Sequence, residues 1–221
     1  MTDLGLSLDL SRDEEDVEPM TANEVLSKLE EAWLNEKFSP VLLEAKTEIV
    51  ECLLEQIGVM EENIRKAKKG DFKVNVHRME LDRVRFVLNS YLRIRLEKIQ
   101  SHAAHYINKD SSEDEEHSLF SPAELAFAKE YLSSVEDHLT GLAVQHMPAM
   151  LHTLRSNLSG IAPSLDSYVF FKVNKDVDGV LVEEETLETG DEIVDLKKGD
   201  QHIMRYLPVQ SLVASADISL I

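Results

Sequence analysis

The chain is poor in cysteine, glycine, proline, aromatics and positive charge. Of 221 residues only Cys52 is a cysteine, which excludes an internal disulfide and any cysteine-based zinc cluster. Its apolar helical surroundings mark it as a buried thiol. The eight glycines build neither a P-loop nor a dinucleotide fingerprint, and no serine or cysteine nucleophile motif is present. No apolar run approaches the length of a membrane span. Met1 to Glu18 is acidic where a secretory leader would start basic, so a cytosolic or nuclear protein is expected. Lys and Arg number 23 against 42 Asp and Glu, a net charge of −19, which argues against nucleic-acid or acidic-membrane binding by the whole surface. His102 and His105, three apart on a helix, could share a face, but no further metal ligands can be placed beside them. His138 and His146 read the same way, as polar-face histidines. Carboxylates are abundant, yet none stands in an apolar setting that would perturb it. No catalytic centre, cofactor or metal is expected.

What is present is helical order followed by strand order. Residues 1–19 hold seven acids and one Arg and read as a disordered acidic tail. Within it Leu4, Leu6, Leu8 and Leu10 alternate with polar residues or glycine. Such a run either adds a strand to a partner's sheet edge or serves as a short docking motif, or its leucines are incidental. A helical domain spans 21–147 with four main helices. The first opens on a Thr21–Glu24 capping box with Met20 and Val25 as its staple, and Ser39-Pro40 breaks it. The second runs from about Thr47 to Lys69, with Ile49, Leu53, Ile57, Met60 and Ile64 on one face. The third, about Lys73 to Ile107, is the longest, and an acidic loop at 108–118 follows. The fourth opens on Ser121, Pro122 and Glu124. It carries a seam of Leu125, Ala128, Leu132, Val135, Leu139, Leu142 and His146. Residues 148–165 read as a linker.

After the linker the period changes to two. Strands are expected at Tyr168–Val173, Val180–Val182, Glu192–Leu196, His202–Tyr206 and Ile218–Ile221, with an Asp178-Gly179 turn joining the first two and a helical turn from Pro208 to Val213. The fold class is therefore α+β, an N-terminal all-α bundle followed by a small C-terminal β-rich domain at 166–221. A β unit that small buries a marginal core and must lean on something else.

Eleven of the 23 basic residues fall between Arg65 and Lys98, a local charge of +7. Placed around a helix, Leu81, Val84, Leu88, Tyr91, Leu92 and Ile99 form one apolar arc, while Met79, Phe86, Val87 and Ile94 lie well away from it. Arg78, Arg85 and Arg93 gather on one side with Asp82 among them; Arg83, Arg95 and Lys98 scatter, Arg95 into the apolar arc. Cations interleaved with apolar residues around the whole girth favour a protein interface over a solvated face or a nucleic-acid stripe. The interface candidates are Trp33, Phe38, Met79, Arg83, Phe86, Val87, Ile94, Arg95, Leu132 and Leu139. A nucleic-acid-binding adaptor using Arg78, Arg85 and Arg93 is the alternative. Ser11, Ser111 and Ser112 precede acidic residues and resemble acidophilic kinase sites.

Several fragments then resemble a known family. They are Glu31-Ala-Trp-Leu-Asn-Glu-Lys-Phe38, Met60-Glu-Glu-Asn63, Leu88-Asn-Ser-Tyr-Leu-Arg-Ile-Arg-Leu96, Ser121-Pro-Ala-Glu-Leu-Ala-Phe127, His146-Met-Pro148, Asp166-Ser-Tyr-Val-Phe170 and Leu212-Val-Ala-Ser215. In order and spacing they are similar to the Sld-five family of subunits of the eukaryotic GINS complex, from about residue 20 to the C-terminus. Ala216 departs from the relatives, which often carry glycine before the last strand. The resemblance implies a non-catalytic subunit of a heterotetramer with three Psf subunits, helical domain before β domain. It implies membership, with the MCM hexamer and a RecJ-like Cdc protein, of the CMG replicative helicase, needed for initiation and elongation of DNA replication. It also implies a part in placing polymerase epsilon, a nuclear location on chromatin at replication forks and also in the cytoplasm, and tail docking to a trimeric replisome hub through Leu4 to Leu10.

Overall fold

The computed structural model describes residues 21–67, 71–110, 119–148, 152, 161–183 and 192–221. By internal packing the chain divides into two units, Met1–Trp33 with Lys46–Tyr91, and Leu34–Ala45 with Leu92–Ile221. Most of the linker expected at 148–165, and all of the tail expected at 1–19, lie outside the described residues.

The first unit is built from three helices. Helix α1, Ala22–Phe38, starts where reciprocal bonds fix its first turn. Thr21 N donates to Glu24 Oε2 at 2.8 Å, and Glu24 N donates to Thr21 Oγ1 at 3.4 Å. Its residues Val25, Leu26 and Leu29 are buried. Helix α2, Thr47–Lys66, buries Leu53 and Ile57 one turn apart. Helix α3, Phe72–Asp110, is capped by Asp71, whose Oδ1 accepts from Lys73 N at 3.0 Å. It contributes Leu81, Val84, Val87, Leu88 and Tyr91 to the buried set. Each such side chain contributes roughly 2 kcal/mol by leaving water, which is why a four-three apolar spacing is enough to assemble the bundle.

Helix α3 continues into the second unit and breaks at His102, where φ is −136° and ψ is 34°. At the break the His102 ring Nδ1 lies 3.2 Å from the Ile161 carbonyl oxygen. Beyond the break, Ala103, Ala104, Tyr106 and Ile107 form a core with Leu42, Phe120, Ala128 and Leu132. The last two lie on helix α4, Pro122–Leu142, whose Ser121–Glu124 capping box is complete. A short 3-10 turn, Val144–His146, follows, so the fourth helix stops earlier than its seam suggests and His146 lies outside it.

The C-terminal strands are β1, Tyr168–Val173; β2, Val177–Glu183; β3, Glu192–Leu196; β4, Gln201–Arg205; and β5, Ile218–Leu220. Helix α5, Tyr206–Ala214, lies between β4 and β5 and carries Pro208 in its first turn, where the missing N–H costs nothing. The expected β1–β2 hairpin does not form. Strand β1 is central, antiparallel to β4 on one side and β5 on the other, whereas β2 pairs with β3. Asp178-Gly179 makes a bulge inside β2: Gly179 has φ 74°, its N donates to Asp195 Oδ1 at 2.9 Å, and the register shifts beside it. A turn dipeptide and a bulge ask for the same positive φ, so the sequence signal does not separate them.

The β core gathers Val169, Phe171 and Val173 from one face of β1 with Met204, Tyr206, Val209, Val213, Ile218 and Leu220. Val41, from the loop between α1 and α2, completes it. Leu220 N donates to Asn35 Oδ1 at 2.7 Å. The small sheet leans on the 34–45 segment, an answer to the marginal size of its own core.

Candidate partner interface

Four cations of α3, Arg83, Arg85, Arg95 and Lys98, are met by carboxylates of the same chain. Arg83 forks onto Glu80, with Nη2 at 2.7 Å from Oε1, and also contacts Glu30 of α1. Arg85 pairs with Glu61 of α2 and Asp82. Arg95 is fully buried. Its Nε and Nη2 hold Glu124 at 2.8 and 3.0 Å, and its Nη1 holds Glu36 at 3.0 Å. The remaining donors reach the carbonyls of Leu43 and Leu119, each at 2.8 Å. Lys98 Nζ lies 2.7 Å from Glu36 Oε1 and 2.8 Å from the Val41 carbonyl. Three segments distant in sequence, 36–43, 95–98 and 119–124, are thus tied by one buried ionic cluster. Sequence reasoning missed Glu36 and Glu124, because nothing local shows that their surroundings are apolar.

The environment shifts the members of this cluster. Burial alone would push the Glu124 carboxyl up, but the Arg95 hydrogen bonds and charge, helped by Ser121, hold it below the ordinary value. Burial draws Lys98 down against the opposing pull of Glu36. Burial also pushes the Tyr106 hydroxyl up to about 12. That hydroxyl accepts Leu42 N at 3.0 Å and so holds the same loop.

These contacts correct three interface candidates. Arg95 satisfies carboxylates within its own chain. Val87 and Leu132 are buried in the chain's own packing. The apolar arc of α3 is wider than the sequence indicates, and it takes in Val87, because helices on two sides cover it. Trp33, Ile94 and Leu139 are half-buried, and Phe38 and Arg83 are exposed. Leu4, Leu6, Leu8, Leu10, Ser11, Ser111 and Ser112 lie outside the described residues.

A continuous exposed apolar line remains. Phe72, Val76, Met79 and Phe86 of α3 are 77, 48, 73 and 64% exposed. With Arg83 in the remaining place they repeat by fours and threes and span an arc of about 80°. The line lies nearly opposite Leu81 and Leu88, which face the bundle. Trp33 of α1 extends it: the indole and the Phe86 ring meet nearly at right angles with centroids 6.4 Å apart, and Nε1 donates to Ser90 Oγ at 3.0 Å. A four-three repeat of large apolar groups is the pattern a second helix packs against. Phe72 and Val76 belong to this line although sequence reasoning did not single them out; continuing the spacing back from Met79 finds both.

The β unit carries a second exposed apolar face. Tyr168 and Phe170 of β1 point away from its core, and Ile203 of β4 is the registered partner of Phe170. The signal was present in the sequence, since β1 is apolar in both alternating registers and such a strand is usually covered on both sides. Of the cations behind the nucleic-acid alternative, Arg85 is engaged by Glu61 and Asp82, while Arg78 and Arg93 stay exposed. Among the described residues no three His, Cys, Asp or Glu converge on a metal position, and no helix is long and apolar enough to cross a membrane.

Comparison with known proteins agrees with this layout. Residues 54–143 match the family model described as the GINS complex protein helical bundle domain. Residues 163–221 match that of the DNA replication complex GINS protein SLD5 C-terminus. The chain is 48% identical over 217 residues to the DNA replication complex GINS protein SLD5 of Bos taurus, covering 98% of this chain and 97% of the relative. It is 47% identical over 203 residues to that of Homo sapiens, 91% of each. It is 31% identical over 217 residues to that of Arabidopsis thaliana, 93% of this chain and 95% of the relative.

Proposed function

Because this chain belongs to the SLD5 family of DNA replication complex GINS proteins, we propose that it is a subunit of the GINS complex in DNA replication and works by assembly rather than catalysis. The exposed line Phe72–Val76–Met79–Phe86 carries the reading. About four large apolar side chains left in water on one helix face cost free energy that only a partner surface recovers. The partners are the three Psf subunits, and the line receives a helix from one of them. Through the assembled tetramer the chain joins the MCM hexamer and the RecJ-like Cdc protein in the CMG helicase, works in the nucleus at replication forks, and helps place polymerase epsilon.

The test is co-expression with three Psf subunits and co-purification through a tag on one of them. Wild type is expected to co-purify in equal proportion. Met79→Asp with Phe86→Asp is expected to lose the complex while the isolated chain keeps its helical circular-dichroism signal, since both sites are exposed. Full recovery of the complex by this double variant would remove the α3 line from the interface.

A further inference from the structure

Residues 39–45, between α1 and α2, form neither helix nor strand, yet Val41 and Leu42 are buried. Successive side chains take opposite sides, as they do in any extended segment. Val41 belongs to the β core, and Leu43 packs against that same core. Leu42, between them, belongs to the helical core with Ala103, Tyr106, Phe120, Ala128 and Leu132. The two cores are separate clusters of side chains, and this short segment is a member of both.

Burial leaves the backbone of this segment to be satisfied, and among the described residues no strand pairs with it. Side chains of α3 do so instead. Leu42 N donates to the Tyr106 hydroxyl at 3.0 Å. Lys98 Nζ donates to the Val41 carbonyl and Arg95 Nη1 to the Leu43 carbonyl, each at 2.8 Å. Ser39 Oγ accepts from Val41 N at 3.2 Å and donates to the Val41 carbonyl at 2.9 Å. Just upstream, Asn35 Oδ1 accepts from Leu220 N and holds β5. A buried polar group that loses its partner costs its full desolvation, so a loss in one core is passed to the other. If the β core opens, Val41 and Leu43 lose their cover and the segment is released. Leu42 then leaves the helical core, and Arg95, Lys98 and Tyr106 lose their backbone partners. Opening the helical core has the converse effect. We propose that residues 39–43 key the helical core and the β core into one cooperative unit, so that the β unit is not a separately folding module but is carried rigidly with α4 and the last turns of α3. The exposed Tyr168, Phe170 and Ile203 then meet a partner in an orientation that the helices set. This coupling rests on contacts within the chain and is independent of the assembly reading.

Two neighbouring substitutions test it, because Val41→Ala removes volume from the β core alone and Leu42→Ala from the helical core alone. Hydrogen exchange of the full chain is read by mass spectrometry. Each variant is expected to speed exchange by about tenfold or more in both places: the strands at 168–173 and 218–220, and the helices at 103–107 and 125–132. Leu42→Val, a smaller cut with the same expected pattern, serves if Leu42→Ala does not fold. Acceleration confined to the strands in Val41→Ala and to the helices in Leu42→Ala overturns the proposal, since the cores then open separately. Unchanged exchange in both places overturns it too. Residues 50–64 of α2, which belong to the other packing unit, are expected to keep their wild-type rates. Equal acceleration there also overturns it, because the whole chain then opens at once and the segment keys nothing.

Discussion

Changing Arg95 to Met keeps most of its volume but strands the buried carboxylates of Glu36 and Glu124. Leaving a buried charge without its partner costs about 3–5 kcal/mol. Urea unfolding is therefore expected to show Arg95→Met destabilised by about 3 kcal/mol, with Lys98 still opposite Glu36 limiting the loss. The same cluster gives the fold an acid-sensitive component. The Glu124 carboxyl is depressed in the folded state, so its contribution is complete above the unfolded value, near 4.5, and disappears as pH falls through the folded value. Glu124→Gln is expected to be less stable at neutral pH and to lose less stability than wild type between pH 5 and pH 3. An identical acid limb for both proteins in pH-resolved thermal melts would contradict this. A second residue argues from the backbone alone. Ala216 has φ 58°, a left-handed conformation in which a Cβ is strained. Ala216→Gly is expected to gain about 1 kcal/mol and raise Tm by about 2–4 °C. A lower Tm would show that the turn between α5 and β5 is not strained.

At the scale of elements, the starts of helices α1 and α4 were legible and the faces of helices less so. Thr21–Glu24 and Ser121–Pro122–Glu124 fix the first turns of α1 and α4 through bonds that involve only neighbours in sequence, and the structure forms both boxes. Ser121→Ala is expected to cost about 1.5 kcal/mol, somewhat above the typical N-cap loss because its partner Glu124 also holds Arg95; denaturant midpoints measure it. The faces of α3 depend on what packs against them. Its spacing showed two apolar sides, but whether Val87 or Met79 was the outward one depended on the placement of α1 and α2. For the same reason the Asp178-Gly179 signal was read as a turn. It marks the right backbone conformation, yet only the pairing of β2 with β3 makes it a bulge.

At the scale of the whole molecule, the charge map determines how the protein meets partners. A net charge of −19 keeps the surface repulsive to DNA, while within the +7 stretch between Arg65 and Lys98 the cations Arg83, Arg85, Arg95 and Lys98 are engaged by Glu30, Glu36, Glu61, Glu80, Asp82 and Glu124. Fluorescence anisotropy with short duplex DNA is expected to show no change in binding of the assembled complex on Arg78→Glu with Arg93→Glu, at 50 or 150 mM salt. A steep salt dependence abolished by those substitutions would favour the adaptor reading instead.

The sequence by itself determined the α-then-β order, the caps, the position of the strands and the emptiness of the chain in catalytic motifs. Each of these depends on neighbours within a few residues or on residue types alone. Only the tertiary structure decided that Arg95 is a buried hub rather than a partner contact, that Val41 completes the β core, and that β1 lies between β4 and β5. Those outcomes rest on residues some 24 to 60 positions apart, or farther, meeting in space, and the free energy that selects them is burial, which belongs to the packed assembly and not to any one segment.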